Sequence, residues 1–289
     1  MPKPPITHCE LSPATEQRIV QYTEELKRFA HTIGSHGLTE SQFKASGLFQ
    51  SAVEKIRGAR AGTTSAKRDF MAAVLGYMKD NGFIRDWDFT GSGERHDYQI
   101  ETNSGRTSIV ETKGCLDGNN TNIFIRPPNA DEFVIWSLCQ NPGADPRHNA
   151  WSGTHTRLGA EVIHRKEKVD AVVLWDMFCG STLRTCPKLV EDGSRATIVD
   201  GMTLAPPCIC LFPRSIPDPR SNPNPPCWQS TDIQLVDALV DAFDGNSDDL
   251  VNVRIETRMK GVSIQRKTHF LRSGVEFASS RWTTLKRAN

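Results

Sequence analysis

Between Phe83 and Gly114 the chain runs in three short stretches rich in aromatic and β-branched residues, broken by Gly91-Ser92-Gly93 and Asn103-Ser104-Gly105. Turn residues at this spacing leave room for strands and not for helices. The segment therefore predicts three consecutive antiparallel strands, Phe83–Phe89, Asp97–Thr102 and Thr107–Lys113. Ahead of it, from about Ser65 to Asp80, Phe70, Val74, Leu75 and Met78 recur at helical spacing, and Asn81-Gly82 is a left-handed stop. Behind it, helical pattern is expected at Ala130–Gln140 and again at Arg157–His164. The apolar run Asp170–Asp176 then reads as a strand buried on both faces. Helix, three strands, helix, strand is the order of an α/β fold, a central mixed sheet flanked by helices.

Outside this core, Ile19, Tyr22, Leu26 and Phe29 predict a helix over residues 13–33, and a second, short helix is expected at about Leu48–Arg57. The proline-rich stretch Pro206–Pro226 lacks periodicity and reads as an extended arm. Beyond it, Val236, Leu239, Val240 and Phe243 form one apolar stripe opposite Asp237, Asp241 and Asp244, an amphipathic helix with a solvated acidic face. The tail from Leu250 alternates like a hairpin and carries nine Lys and Arg against Glu256 and Glu276, a local charge of +7. A single domain over residues 1–289 is expected, with N-terminal helices in 1–64, the core in 65–180, and the arm and a C-terminal β-hairpin extension in 181–289.

Composition narrows the function classes. At 289 residues with 37% hydrophobic and 24% charged residues, the chain can bury a sizeable core, which excludes disorder throughout. Its net charge of +1 names no partner, so a polyanion-binding surface would need local segregation of charge. No apolar run approaches the roughly 20 residues of a bilayer span, and Met1 to Thr7 contains no apolar leader, so a protein without membrane contact in a reducing cytoplasm is expected. The eight cysteines then read as thiols. They include no Cys-x-x-Cys pair, and no zinc is expected. Gly-x-Ser-x-Gly, Walker and dinucleotide fingerprints are absent, removing acyl-hydrolase, P-loop and Rossmann readings.

The residues that can carry chemistry lie on the predicted hairpin. Side chains alternate along a strand, so Glu111 and Lys113 project from one face about 6.5 to 7 Å apart. The turn at Asn103-Ser104-Gly105 folds the strand of Asp97 back alongside, bringing its carboxylate to the same end. Two hard oxygen ligands suit Mg²⁺, and a neighbouring ammonium can orient or activate a water and offset developing charge. Asp86 and Asp88 compete for the place of the first carboxylate, but the hairpin register favours Asp97. The bland alternative is a solvated ion pair on an edge strand. A metal-dependent HD phosphohydrolase built on His96-Asp97 would need further His and Asp residues from long helices.

The Asp, hairpin, Glu-x-Lys pattern resembles the core of the PD-(D/E)xK phosphodiesterases, the superfamily of most type II restriction endonucleases, over roughly Ser65 to Asp176. His96 stands where that family usually has proline. The resemblance implies a restriction-endonuclease-like core in which Asp97, Glu111 and Lys113 are catalytic and Asp97 and Glu111 hold Mg²⁺, with Glu54 as a possible additional acidic residue. It further implies site-specific hydrolysis of double-stranded DNA by a homodimer in a prokaryotic cytoplasm. A repair or structure-specific nuclease with the same core, or a DNA-binding protein without activity, are the alternatives. With that core in place, Arg126 and the tail residues Arg254, Arg258, Lys260, Arg266, Lys267 and Arg272 become candidate DNA contacts, and Arg214 to Arg220 an alternative surface.

Overall fold

The computed structural model describes residues 12–29, 36–46, 48, 52, 64–91, 96–114, 126–139, 162–163, 166–177 and 195–285. Its centre is one mixed sheet of ten strands. Strands β1 (Asp86–Phe89), β2 (Tyr98–Glu101) and β3 (Thr107–Lys113) form the predicted antiparallel meander. Next in the sheet come β4 (Glu132–Cys139) and β5 (Ala171–Asp176), both parallel to β3, and β8 (Cys208–Leu211), antiparallel to β5. The sheet continues through β9 (Leu250–Lys260), β10 (Ser263–Arg272) and β11 (Val275–Ser279), with β12 (Thr283–Thr284) paired to β10. A separate ribbon joins β6 (Thr197–Val199) to β7 (Met202–Leu204).

Helix α1 spans Pro13–Phe29 and α2 Glu40–Ala45, the latter opened by a capping box between Thr39 and Gln42. Helix α3 spans Thr64–Asp80 and buries Phe70, Met71, Val74, Leu75 and Met78, the face its spacing implies. It stops at Gly82, which takes φ +76°, while the Phe83 amide donates to the Met78 carbonyl at 2.8 Å. Because the chain is still leaving the helix there, β1 starts at Asp86 and not at the expected Phe83. Helix α4, Gln234–Ala242, lays Leu235, Val236 and Leu239 on the same sheet face as α3. Between helices and sheet, Phe70, Trp175 and Phe243 meet edge to face, with centroids 5.4 and 4.6 Å apart. Burial of such side chains contributes about 1.5 to 3 kcal/mol each.

Glu132, 2% exposed, joins these layers. Its carboxylate accepts hydrogen bonds from the Ser108 hydroxyl (2.6 Å) and from the Gln234 and Leu235 amides (2.7 and 3.1 Å). Ile233 at the N-cap of α4 offers no side-chain oxygen, so a carboxylate from β4 satisfies the first amides of that helix and complements its dipole.

Two expectations are corrected. Residues 132–139 form a strand, not the helix expected at Ala130–Gln140: Phe133, Val134, Ile135 and Trp136 are all buried, because β4 is covered on both faces. A strand buried on both faces shows no alternation, and a short apolar run then cannot be told from a buried helix by period alone. Likewise the proline-rich stretch is not all arm. Cys208–Leu211 is a central strand, and the long loop is the segment after it, closed by bridges between Pro213 and Cys227 and between Asp218 and Asn222. Leu48 and Ala52 are helical and buried, as are Val162 and Ile163, but the rest of those two expected helices lies outside the described residues. Among the described residues no helix is long and apolar enough to cross a membrane.

Candidate active site

Gly105, at φ +80°, makes the tight turn that sets β2 against β3, with Tyr98 opposite Val110 and Ile100 opposite Ser108. Asp97, one residue before β2, donates its amide to the Val110 carbonyl at 3.2 Å. One oxygen of its carboxylate, Oδ2, accepts from the Thr112 amide at 2.8 Å and from the Thr112 hydroxyl. Across the same end of β3, the Lys113 ammonium donates to Glu111 Oε1 at 2.6 Å. Asp97, Glu111, Thr112 and Lys113 line one cleft of about 180 Å³, so the hairpin brings together the three residues expected to converge.

The pair does not lie on an edge strand. Strand β3 is interior, hydrogen-bonded to β2 on one side and β4 on the other, and the Glu111 side chain is only 12% exposed. Burial pushes the Glu111 carboxyl above its ordinary range, against the opposing pull of Lys113, and the charge of Asp97 adds to the rise. A charged pair held at that cost in the middle of a sheet is the arrangement expected of a functional site.

The sign of that shift gives a stability prediction. Below the ordinary carboxyl value of about 4.5 Glu111 is protonated both folded and unfolded and contributes nothing; as pH rises from there the unfolded chain ionises first, so stability is lost until pH has passed the elevated folded value. The melting temperature of Glu111→Gln protein is therefore expected to rise relative to that of the wild type as pH increases from about 4.5, with the difference shrinking again toward pH 4 in a thermal scan series. A gap that does not change with pH would contradict it.

The sequence reading missed the opposite wall of the cleft. Thr64, Lys67 and Arg68, from the start of α3, face the carboxylates, and Lys67 acts on Glu111 electrostatically. A lysine and no acidic residue in the first turn of a helix runs against its dipole, and that was the available signal. Asp86 is instead paired with Lys79 at 2.7 Å on the surface, and Asp88 lines a different cleft, with His96 and Gln99. Glu54 lies outside the described residues.

The candidate DNA contacts separate. Arg126 is committed to structure: it binds Asp170 at 3.0 Å and the carbonyls of Ala130 and Asp131, so it is not a free phosphate ligand. In the β9–β10 hairpin, Lys267 lies opposite Glu256 and Gln265 opposite Arg258, which puts Arg254, Arg258, Lys260 and Lys267 on one face and Arg266 and Arg272 on the other. Arg266 is 4% exposed and donates to the Thr268 hydroxyl, which removes it from the accessible set. Arg258 lies over the Trp282 ring at 3.9 Å, and Lys260 is exposed at the strand end. Strand β9 is four places from β3 in the sheet, roughly 19 Å at ordinary strand spacing, so these residues form a surface apart from the cleft.

Cys208, Cys210 and Cys227 are free thiols, while Cys9, Cys115, Cys179 and Cys186 lie outside the described residues. Among the described residues no group of three or more His, Cys, Asp or Glu side chains is placed to hold a metal ion, so the donor set at the cleft is the pair of carboxylates. No family model, no curated protein and no solved structure matches the chain.

Proposed function

We propose that the chain is a metal-dependent endodeoxyribonuclease of restriction-enzyme type, hydrolysing phosphodiester bonds in double-stranded DNA at a cleft built on Asp97, Glu111 and Lys113. The observation that carries this reading is the convergence of two carboxylates and an ammonium at the end of an interior strand, facing the cationic start of α3. The resemblance to the PD-(D/E)xK core rests on the Asp, hairpin, Glu-x-Lys pattern carried by β2 and β3.

The donor set fits Mg²⁺. Asp97 uses Oδ2 for Thr112 and Glu111 uses Oε1 for Lys113, and Asp97 Oδ1 and Glu111 Oε2 make no hydrogen bond among the described residues. Each carboxylate thus keeps one hard oxygen for a cation, and a cation would relieve the cost of ionising Glu111. Bound there, Mg²⁺ would acidify a water and neutralise charge on the phosphate. Thr112 fixes the rotamer of Asp97 through its amide and hydroxyl. Lys113, pinned by Glu111, holds its ammonium where it can orient the attacking water and offset charge on the nonbridging oxygens. Lys67 and Arg68 would grip the phosphates on either side of the scissile one. Cutting both strands of a palindromic site calls for two such clefts, hence a two-fold dimer.

Duplex affinity tests this reading directly. Anisotropy of a labelled DNA duplex, titrated at several salt concentrations, is expected to show binding whose log–log salt slope falls by about one in Lys67→Ala protein, one phosphate contact being lost. No measurable affinity of the wild type for duplex DNA would overturn the reading.

A further inference from the structure

A second cleft, of about 540 Å³, lies between the proline-rich arm and strands β8 to β10, away from the Asp97–Glu111–Lys113 site. Leu211, Leu250 and Leu271 give it an apolar floor, and Asn224, Gln229 and Asn252 place amide groups around it. Its size is that of ordinary small-molecule pockets, roughly 300 to 1,000 Å³. The cleft is preformed: the Thr257 amide of β9 ties the arm to the sheet by donating to the Pro223 carbonyl, and the Arg214 amide closes the arm on itself by donating to the Pro226 carbonyl, each at 2.8 Å.

Arg254 projects into this cleft with its charge poorly answered. Its Nε is shielded from solvent without a hydrogen-bond partner, and the guanidinium makes no hydrogen bond among the described residues. Its nearest carboxylate, Glu276, stands at 4.0 Å and is already taken by His269 Nδ1 at 2.7 Å. Glu256, on the same face, is taken by the other ring nitrogen at 3.2 Å. Cys227 supplies no anion either, since burial pushes its thiol up to about 12. A guanidinium that is 37% exposed, with its Nε shielded, no hydrogen bond among the described residues and its nearest carboxylate 4.0 Å away, set over an apolar floor ringed by amides, suits a ligand that brings the acceptor with it.

We propose that this cleft binds a small organic anion, its carboxylate or phosphate on Arg254 and its flat or aliphatic body against Leu211, Leu250 and Leu271. The site is independent of the nuclease reading and stands or falls without it. Calorimetric titration of the full chain with adenosine monophosphate, phenylacetate and inorganic phosphate tests it and separates the two oxyanion chemistries. One organic anion is expected to bind at one site per chain, more tightly than inorganic phosphate. Arg254→Gln should weaken it about tenfold or more, the worth of a charge-assisted hydrogen bond. Leu271→Trp, which fills the cleft and keeps the charge, should abolish binding, and Arg85→Gln on the far surface should leave it unchanged. Binding of neither organic anion, equal affinity for inorganic phosphate, or affinity indifferent to both Arg254→Gln and Leu271→Trp would overturn the proposal.

Discussion

Lys113→Ala protein is expected to keep its fold and its affinity for duplex DNA while losing at least about 10²- to 10³-fold in cleavage rate, the usual consequence of removing one preorganised charge from a site of charge development. The ammonium sits 2.6 Å from Glu111, and its removal leaves Asp97 and its Thr112 contacts in place. Lys113→Arg should fail as well, because a planar guanidinium cannot reproduce a point charge at that position and does not give up a proton. Asp97→Ala should also abolish cleavage, for the separate reason that a metal ligand is lost. Circular dichroism, duplex binding and single-turnover cleavage on the same preparations check the expectation. Folded Lys113→Ala protein cutting at the wild-type rate would place the chemistry elsewhere.

The largest stability effect is expected far from that cleft, at Asp170. This residue is 2% exposed, and its carboxylate accepts from the Phe133 amide at 2.8 Å, from Trp228 Nε1 at 3.0 Å and from Arg126 at 3.0 Å. It therefore fastens β4, the chain leaving the proline-rich arm and the loop before β4 to the start of β5. Removing it takes the carboxylate from Arg126, which keeps its bonds to the Ala130 and Asp131 carbonyls, and deprives an indole N–H and a backbone amide of their acceptor. Asp170→Ala is expected to cost about 3 to 5 kcal/mol, the range for breaking a buried pair by deleting one partner. The midpoint of urea unfolding measures it; a loss under about 1 kcal/mol would contradict the network described.

The range of each interaction decides how much of the fold and site is legible in the sequence. The meander and α3 are legible because their signals are local: alternation, Asn103-Ser104-Gly105, a helical apolar face and the Gly82 stop. The convergence of Asp97 with Glu111 and Lys113 is legible for the same reason, a tight hairpin fixing register within about 15 residues. Strand β4 reads as a helix because burial on both faces erases the period that identifies a strand. Strand β8 is hidden because Pro206 and Pro207 ahead of it and the prolines after Leu211 mark the stretch as irregular, while its four buried residues draw their partners from β5 and β9, distant in sequence. Arg126 looks like a phosphate ligand because its partner Asp170 is 44 residues away. Arg266 could have been set aside from the sequence: in a hairpin with alternating faces it shares the side of Phe270 and Thr268, which are buried.

The metal-dependent hydrolysis proposed here comes down to one measurement: incubation of plasmid DNA with the purified protein, with Mg²⁺ and with chelator, followed by electrophoresis. Discrete fragments in Mg²⁺ and intact plasmid in chelator are the expected result. Intact plasmid with every divalent cation tried, from a protein that binds the duplex, would contradict catalysis at Asp97, Glu111 and Lys113.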